Sequence, residues 1–342
     1  MKAILEKVLS GQILDYEEGE AVFGAMMDGA MPPTVMAALL AGLRTRGEAP
    51  QELASLARVM MERAVKIHPK RHPLVDTCGT GGDGQATINI STLAAFVVAG
   101  AGISVAKHGN RSVSSKCGSA DVMEDLGLNL DISPKDVERS IDETGFGFLF
   151  APRFHPSMAH AVKVRKELGV RTIFNYLGPM VNPAEVDHQV VGVPTSEGAW
   201  IVAQAFQRLG KKKVLVIHGL EGLDEVSPKG RTLVLEVTSK GIEKDFISPN
   251  TFGFPPISLG DIKVSGREEA VERAKAILEG REDPACYVVI MEAGLAIYCV
   301  GEAPTPLQGV IQAQEVLESG RGLKALERAV EFSRKVAVGM EG

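Results

Sequence analysis

Two glycine-rich stretches, about 25 residues apart, hold most of the side chains in this sequence that could handle a charged substrate. The first reads Asp76-Thr77-Cys78-Gly79-Thr80-Gly81-Gly82-Asp83-Gly84, and the second runs from Lys107-His108-Gly109-Asn110-Arg111 through Ser112-Val113-Ser114-Ser115-Lys116-Cys117 to Gly118-Ser119-Ala120-Asp121. Glycine lets backbone N–H groups approach a phosphate with no Cβ in the way, and the second stretch adds three cations and a set of hydroxyls. Two such loops are expected to form the walls of one anion site for a polyphosphorylated small molecule.

Gly79, Gly81 and Gly84 also satisfy G-x-G-x-x-G, the pattern of a dinucleotide site. That chemistry wants an acidic residue about 20 positions on, at the end of the next strand. The chain has Lys107 near there instead, and Asp83 would face the pyrophosphate, so the dinucleotide reading is disfavoured. Beyond the glycines, Thr87, Asn89, Ser91 and Thr92 precede the apolar stretch 93–98. An ordinary helix cap needs one of these side chains. The surplus suits an anion or a metal-bound phosphate at a helix N-terminus. A third element is the strand-like run Val214-Leu215-Val216-Ile217, followed by Asp224-Glu225. Adjacent carboxylates at a strand end suit Mg2+, which takes a few protein oxygens and completes its shell with water and substrate phosphate.

The elements that must position these groups alternate along most of the chain. Short apolar runs at 74–78, 103–106, 146–150, 190–193, 213–217 and 285–291 read as strands, most of them separated by helix-like stretches. This predicts an α/β fold with a mostly parallel sheet covered by helices, its ligands gathered at the carboxyl ends of the strands. Residues 232–237 and 242–247 read as a local hairpin. The first 67 residues carry only helical signals: a capping-box spacing at Asp15 and Glu18, Pro33 and Pro50 at helix starts, and an apolar stripe of Met36, Leu39, Leu40 and Leu43. The prolines of 68–73 break that pattern, which predicts a hinge between a small all-helical domain (1–67) and a larger α/β domain (74–342).

With 342 residues, 45% hydrophobic and 23% charged, the chain can bury a sizeable core. A net charge of −6 argues against binding nucleic acid through the overall field. Four cysteines without C-x-x-C spacing suggest neither a zinc site nor a disulfide framework and fit a cytoplasmic protein. No apolar run near the N-terminus reads as a signal peptide or membrane span.

The motifs Gly79-Thr80-Gly81-Gly82-Asp83, Asn89-Ile90-Ser91-Thr92, Lys107-His108-Gly109-Asn110-Arg111 with Ser114-Ser115 and Gly118-Ser119-Ala120-Asp121, and Gly222-Leu223-Asp224-Glu225 resemble, in their order, those of the anthranilate phosphoribosyltransferase family. So does the stretch from His155-Pro156 through Arg165 to Arg171-Thr172-Ile173-Phe174-Asn175-Tyr176-Leu177-Gly178-Pro179. The C-terminal third is similar more loosely, and Met291-Glu292 stands where a more neutral strand end is expected. The resemblance implies a fold of the nucleoside phosphorylase/phosphoribosyltransferase type. It implies transfer of phosphoribose from 5-phosphoribosyl diphosphate (PRPP) to the amine of anthranilate, with Mg2+, in tryptophan biosynthesis. By the same resemblance Gly79, Gly82, Asp83, Thr87, Asn89, Ile90, Ser91, Thr92, Lys107, His108, Gly109, Asn110, Arg111, Ser112, Val113, Ser114, Ser115 and Ser119 hold PRPP. Gly79, Asn110 and Arg165 face anthranilate, and Ser91, Asp224 and Glu225 position the metal. His108 and His155 are possible proton acceptors, and neither is assigned as an acid or base. The helical domain, with which residues of about 155–185 are expected to pack, would close on the sheet domain and form a homodimer interface. The readings left open are a pyrimidine nucleoside phosphorylase-like enzyme and a non-catalytic relative that binds nucleic acid.

Overall fold

The computed structural model describes residues 1–111 and 118–337. The chain opens with four helices, Lys2–Leu9, Tyr16–Met27, Pro33–Arg46 and Pro50–Glu62. At the second, Asp15 accepts from the Glu18 N–H at 2.9 Å while the Glu18 carboxylate accepts from the Asp15 N–H at 3.0 Å, a reciprocal cap that satisfies two orphan donors. Pro33 and Pro50 sit at first helical positions, where the missing N–H costs nothing. The stripe Met36, Leu39, Leu40 and Leu43 is buried. A charge holds the bundle together as well: fully buried Glu52 accepts from the N–H groups of Leu14 (2.9 Å) and Ala49 (3.0 Å) and pairs with Arg46.

Residues 65–73 have no regular secondary structure. Carboxylates of the helix Pro134–Thr144 hold this connection: Glu138 accepts from the His68 N–H and Asp142 from the Lys70 N–H, both at 2.7 Å.

Seven strands follow: β1 (Leu74–Gly79), β2 (Ser104–Gly109), β3 (Phe146–Phe150), β4 (His188–Gly192), β5 (Lys213–Gly219), β6 (Thr232–Thr238) and β7 (Gly241–Ile247). They form one sheet in the order β3-β2-β1-β4-β5-β6-β7. The first five in that order are parallel, and the hairpin β6–β7 adds an antiparallel edge. From β1 the chain builds outward on one side through β2 and β3, then returns to place β4 and β5 on the other. This reversal opens a crevice at the carboxyl ends of β1 and β4, the place where open α/β sheets bind ligands.

The expected strand at 285–291 is a correction: Cys286–Val300 is a helix. It is buried on nearly every side, so its sequence is apolar throughout and carries neither a helical nor a strand period. With the helices Ile90–Gly100, Pro306–Glu318 and Arg321–Ala337 it covers one face of the sheet, where Phe96 stacks on Phe146 at 4.5 Å. On the other face one apolar cluster runs from Leu40 and Leu53 through Phe206 of the helix Ser196–Leu209 to Val191 and Val216 of the strands. The helix Ala159–Leu168 packs against the second and third N-terminal helices. Among the described residues no helix is long and apolar enough to cross a membrane.

Candidate active site

β1, β4 and β5 end side by side, with Gly79 paired to Gly192 and Gly192 to Ile217. The segment after β5 folds back across these ends and sets Asp224 directly above them. A Cβ on Gly79 would lie 2.5 Å from Asp224 Oδ2, and one on Gly192 would lie 1.6 Å from the Asp224 carbonyl oxygen, so both strands need glycine here. The first loop is tied to the same residue: the Gly81 N–H donates to Asp224 Oδ2 at 2.7 Å. Arg171 donates to the Gly81 carbonyl at 2.8 Å, and its guanidinium fills the space beside Gly82, whose φ of +81° also favours glycine. Loop one is therefore shaped by Asp224 from below and Arg171 from the side.

Further along this loop Asp83 accepts from the Gln85 N–H at 3.0 Å, and its Oδ2 is buried with no donor. Two backbone bonds, Ile88 N–H to Ile262 (2.8 Å) and Val264 N–H to Ala86 (2.9 Å), fix the approach to the helix Ile90–Gly100. Asn89 is its N-cap residue, although its side chain makes no capping bond to the helix. Thr92 Oγ1 is buried without a partner, and Thr77 donates to the Ser91 carbonyl at 2.8 Å.

The second loop leaves β2 beside the first. Lys107 is 1% exposed and donates to the Thr77 carbonyl, so its ammonium lies under loop one rather than out in solvent. His108 Nδ1 lies 3.0 Å from the Gly178 carbonyl, and its ring meets His155 edge-on at 5.2 Å. Burial pushes His108 down to about 3 and His155 down to about 4, so both rings are neutral near pH 7. The Asn110 carbonyl accepts from the Ala120 N–H (3.2 Å) and from Ser119 Oγ (3.3 Å), while the Arg111 N–H donates to Asn110 Oδ1 at 2.8 Å. The Arg111 guanidinium is engaged by Glu124 through both nitrogens, at 2.5 and 2.6 Å, and by Asp121 at 3.1 Å. Ser112, Val113, Ser114 and Ser115 lie outside the described residues.

Asp224 and Glu225 are each only 8% exposed. Burial, then the nearby Asp83, pushes Asp224 up to about 7. Burial and the neighbouring Glu292 push Glu225 well above the usual carboxylate range. Buried acids of like charge with unpaired oxygens on Asp83 and Glu225 form a donor set that a hard divalent cation fits. Among the described residues no three His, Cys, Asp or Glu are arranged to hold an ion by themselves.

Arg165 stands apart from these loops, on the helix Ala159–Leu168. Its guanidinium lies over the Phe174 ring at 5.0 Å, no ion pair engages it among the described residues, and burial lowers its pKa. Six residues on, Arg171 reaches loop one, so a single segment spans from Arg165 to the glycines. Motif reading assigns no role to Arg171 or Glu292, nor to Asp76, which is fully buried and accepts from Asn182 (2.9 Å) and the His108 N–H (3.3 Å). Asp76 and Glu292 interrupt otherwise apolar runs, and that interruption is the signal the sequence offers.

Residues 2–64 match the model of a glycosyl transferase family, helical bundle domain, and residues 71–323 that of a glycosyl transferase family, a/b domain. The anthranilate phosphoribosyltransferase of Nitrosomonas europaea is 44% identical over 98% of this chain and 99% of its own length, and that of Persephonella marina is 43% identical over 98% and 99%. The solved structure of the Thermus thermophilus anthranilate phosphoribosyltransferase superposes with a TM-score of 0.91 at 45% identity, covering 97% of this chain and 99% of the other. The Saccharomyces cerevisiae anthranilate phosphoribosyltransferase in complex with PRPP and Mg has a TM-score of 0.89 at 27% identity, covering 97% of both chains. Matched over nearly its full length at more than 40% identity, the chain belongs to the anthranilate phosphoribosyltransferase family.

Proposed function

We propose that this protein transfers the phosphoribosyl group of PRPP to the amine of anthranilate, giving N-(5-phosphoribosyl)anthranilate and diphosphate, a step of tryptophan biosynthesis. The observation that carries this reading is the convergence of three strand ends on Asp224, which binds the Gly81 N–H at 2.7 Å and leaves room only for glycine at positions 79 and 192. Loop one, the first turn of Ile90–Gly100 and the stretch from Lys107 to Ser119 would hold the diphosphate and ribose. Asp224, Glu225 and Ser91 would hold Mg2+, which supplies charge neutralisation at the departing diphosphate.

In the reaction the amine lone pair forms the bond to ribose C1, the C1–O bond to diphosphate breaks with its electron pair, and an amine proton is released. Positive charge grows on the ribose and negative charge on the leaving group. Backbone N–H groups of the glycine loop, fixed beforehand by Asp224 and Arg171, need no reorganisation to meet that negative charge. Lys107, lodged under the loop, adds positive potential from below. The aromatic amine is already neutral, so orientation does much of the work. Arg165, which no carboxylate engages among the described residues, would pair with the carboxylate of anthranilate beside Gly79 and Asn110.

We assign residues 1–67 to the helical domain, 68–73 to a hinge and 74–342 to the α/β domain, and place the enzyme in the cytoplasm as a homodimer joined through its helical domains. Leu9 and Ile13 of that domain, 58% and 48% exposed, are apolar side chains that such a contact could cover. The test of function is optical. Anthranilate fluorescence should fall only when enzyme, PRPP and Mg2+ are all present, and a flat trace with all three would overturn the assignment.

A further inference from the structure

Both backbone groups of Gly81 are held by charged side chains of opposite sign. Its N–H donates to Asp224 Oδ2 at 2.7 Å, and its carbonyl accepts from Arg171 Nη1 at 2.8 Å. Across a trans peptide the carbonyl and the next N–H point opposite ways, so a cation on the Gly81 carbonyl turns the Gly82 N–H away from itself. No acceptor among the described residues takes that N–H, and Gly82 is exposed on the loop. The guanidinium also fills the space where a Cβ on Gly82 would stand: such an atom would lie 1.5 Å from Nη1 and 2.8 Å from Cζ. Arg171 reaches the loop from a fixed backbone. The Thr172 N–H donates to Asn175 Oδ1 at 2.9 Å, the Thr172 carbonyl accepts from the Asn175 N–H at 2.8 Å, and Thr172 and Ile173 are buried. We infer that Arg171 is a positioning residue for the diphosphate of PRPP: by holding the Gly81 carbonyl it aims the Gly82 N–H at the diphosphate. Its charge at the carbonyl end also polarises that peptide, which strengthens the N–H as a donor.

This rests on the reading of the glycine loop as the diphosphate site. The alternative is that Arg171 only braces the turn 171–175, whose Phe174 ring lies under the Arg165 guanidinium at 5.0 Å. A brace would disturb the sites of both substrates alike. The orientation of the 81–82 peptide matters to PRPP alone.

The test is calorimetric titration of the full-length enzyme with PRPP in the presence of Mg2+ and without anthranilate, joined to KM for anthranilate from its fluorescence at saturating PRPP. Arg171→Met keeps an unbranched stem and removes the donor. It should weaken PRPP binding about ten- to a hundredfold, the size of a lost hydrogen bond to a charged group, and leave KM for anthranilate within about threefold of wild type. Arg171→Lys keeps the charge and a donor without the planar fork, so it should bind PRPP more tightly than Arg171→Met. Arg171 is partly exposed, so these variants should fold; if Arg171→Met does not, Arg171→Leu takes its place with the same expectation. Wild-type PRPP affinity in Arg171→Met would overturn the inference and leave the transferase reading standing, as would an equal loss for both substrates. Arg171→Lys binding PRPP no more tightly than Arg171→Met would overturn it too. If the wild-type enzyme itself takes up no PRPP, the transferase reading fails and this inference with it.

Discussion

Replacing Gly192 by alanine tests whether the β4 end holds Asp224 in place. A Cβ built there lies 1.6 Å from the Asp224 carbonyl oxygen and 2.5 Å from its carbonyl carbon, and such contacts are essentially never seen below 3.0 Å. The Asp224 peptide would have to retreat by about 1.4 Å, because the atoms it meets belong to a backbone that has no rotamer to change. The same substitution at Gly79 meets the end of a side chain, Asp224 Oδ2 at 2.5 Å, and asks for about 0.5 Å. A 1 Å misplacement can cost on the order of a hundredfold in rate. Gly192→Ala should therefore lower kcat/KM for PRPP by about a hundredfold or more, about 2.7 kcal/mol of transition-state stabilisation, and raise the Mg2+ concentration for half-maximal rate. Gly79→Ala should fall between it and wild type. Overpacking of this kind costs about 1–3 kcal/mol, within the stability of most domains, so circular dichroism should show folded protein. Steady-state kinetics by loss of anthranilate fluorescence at varied Mg2+ would decide the matter. Wild-type kcat/KM and metal dependence in folded Gly192→Ala would refute the argument, as would a larger loss in Gly79→Ala.

Asp224→Asn combined with Glu225→Gln should raise the Mg2+ requirement and lower turnover, and an unchanged Mg2+ titration would remove both residues from the metal site. Arg165→Ala should raise KM for anthranilate about tenfold or more while KM for PRPP moves little, the difference expected from losing a charge-assisted bond worth about 1.5–3 kcal/mol; equal changes in both would refute it. Glu124→Gln frees the Arg111 guanidinium from an exposed ion pair worth up to about 1 kcal/mol, so KM for PRPP should fall by up to about fivefold, and a rise would show that the pair supports the site. Buried His155 titrates at about 4 when folded and near 6.5 when unfolded, so the unfolded chain binds the extra proton first. The penalty is absent above about pH 6.5 and grows as pH falls toward 4, by about 1.4 kcal/mol per unit at most. The melting temperature of His155→Leu relative to wild type should therefore rise across that window, whereas a pH-independent difference would show that His155 protonates freely in the folded state.

Local chemistry makes much of this molecule readable in the chain. The caps at Asp15, Pro33 and Pro50 act over one helical turn, the glycines at 79–84 have few conformational competitors, and the runs 74–78, 103–106 and 146–150 have the length and composition of buried strands. The helix Cys286–Val300 reads as a strand in part because periodicity records contact with solvent, and a segment buried on all sides has no periodicity to record. Residues for the site are legible as types, glycine loops and an acidic pair, because phosphate and Mg2+ restrict which side chains can serve. Their geometry is not, since it depends on strand order: only the reversal between β1 and β4 sets Asp224, 143 residues from Gly81, within 2.7 Å of its N–H. The same holds for Arg171 against Gly82, Glu124 on Arg111, and Glu292 behind Glu225. Such pairings are set when distant elements pack, and the cost of burying a charge is defined only after packing has decided what lies around it.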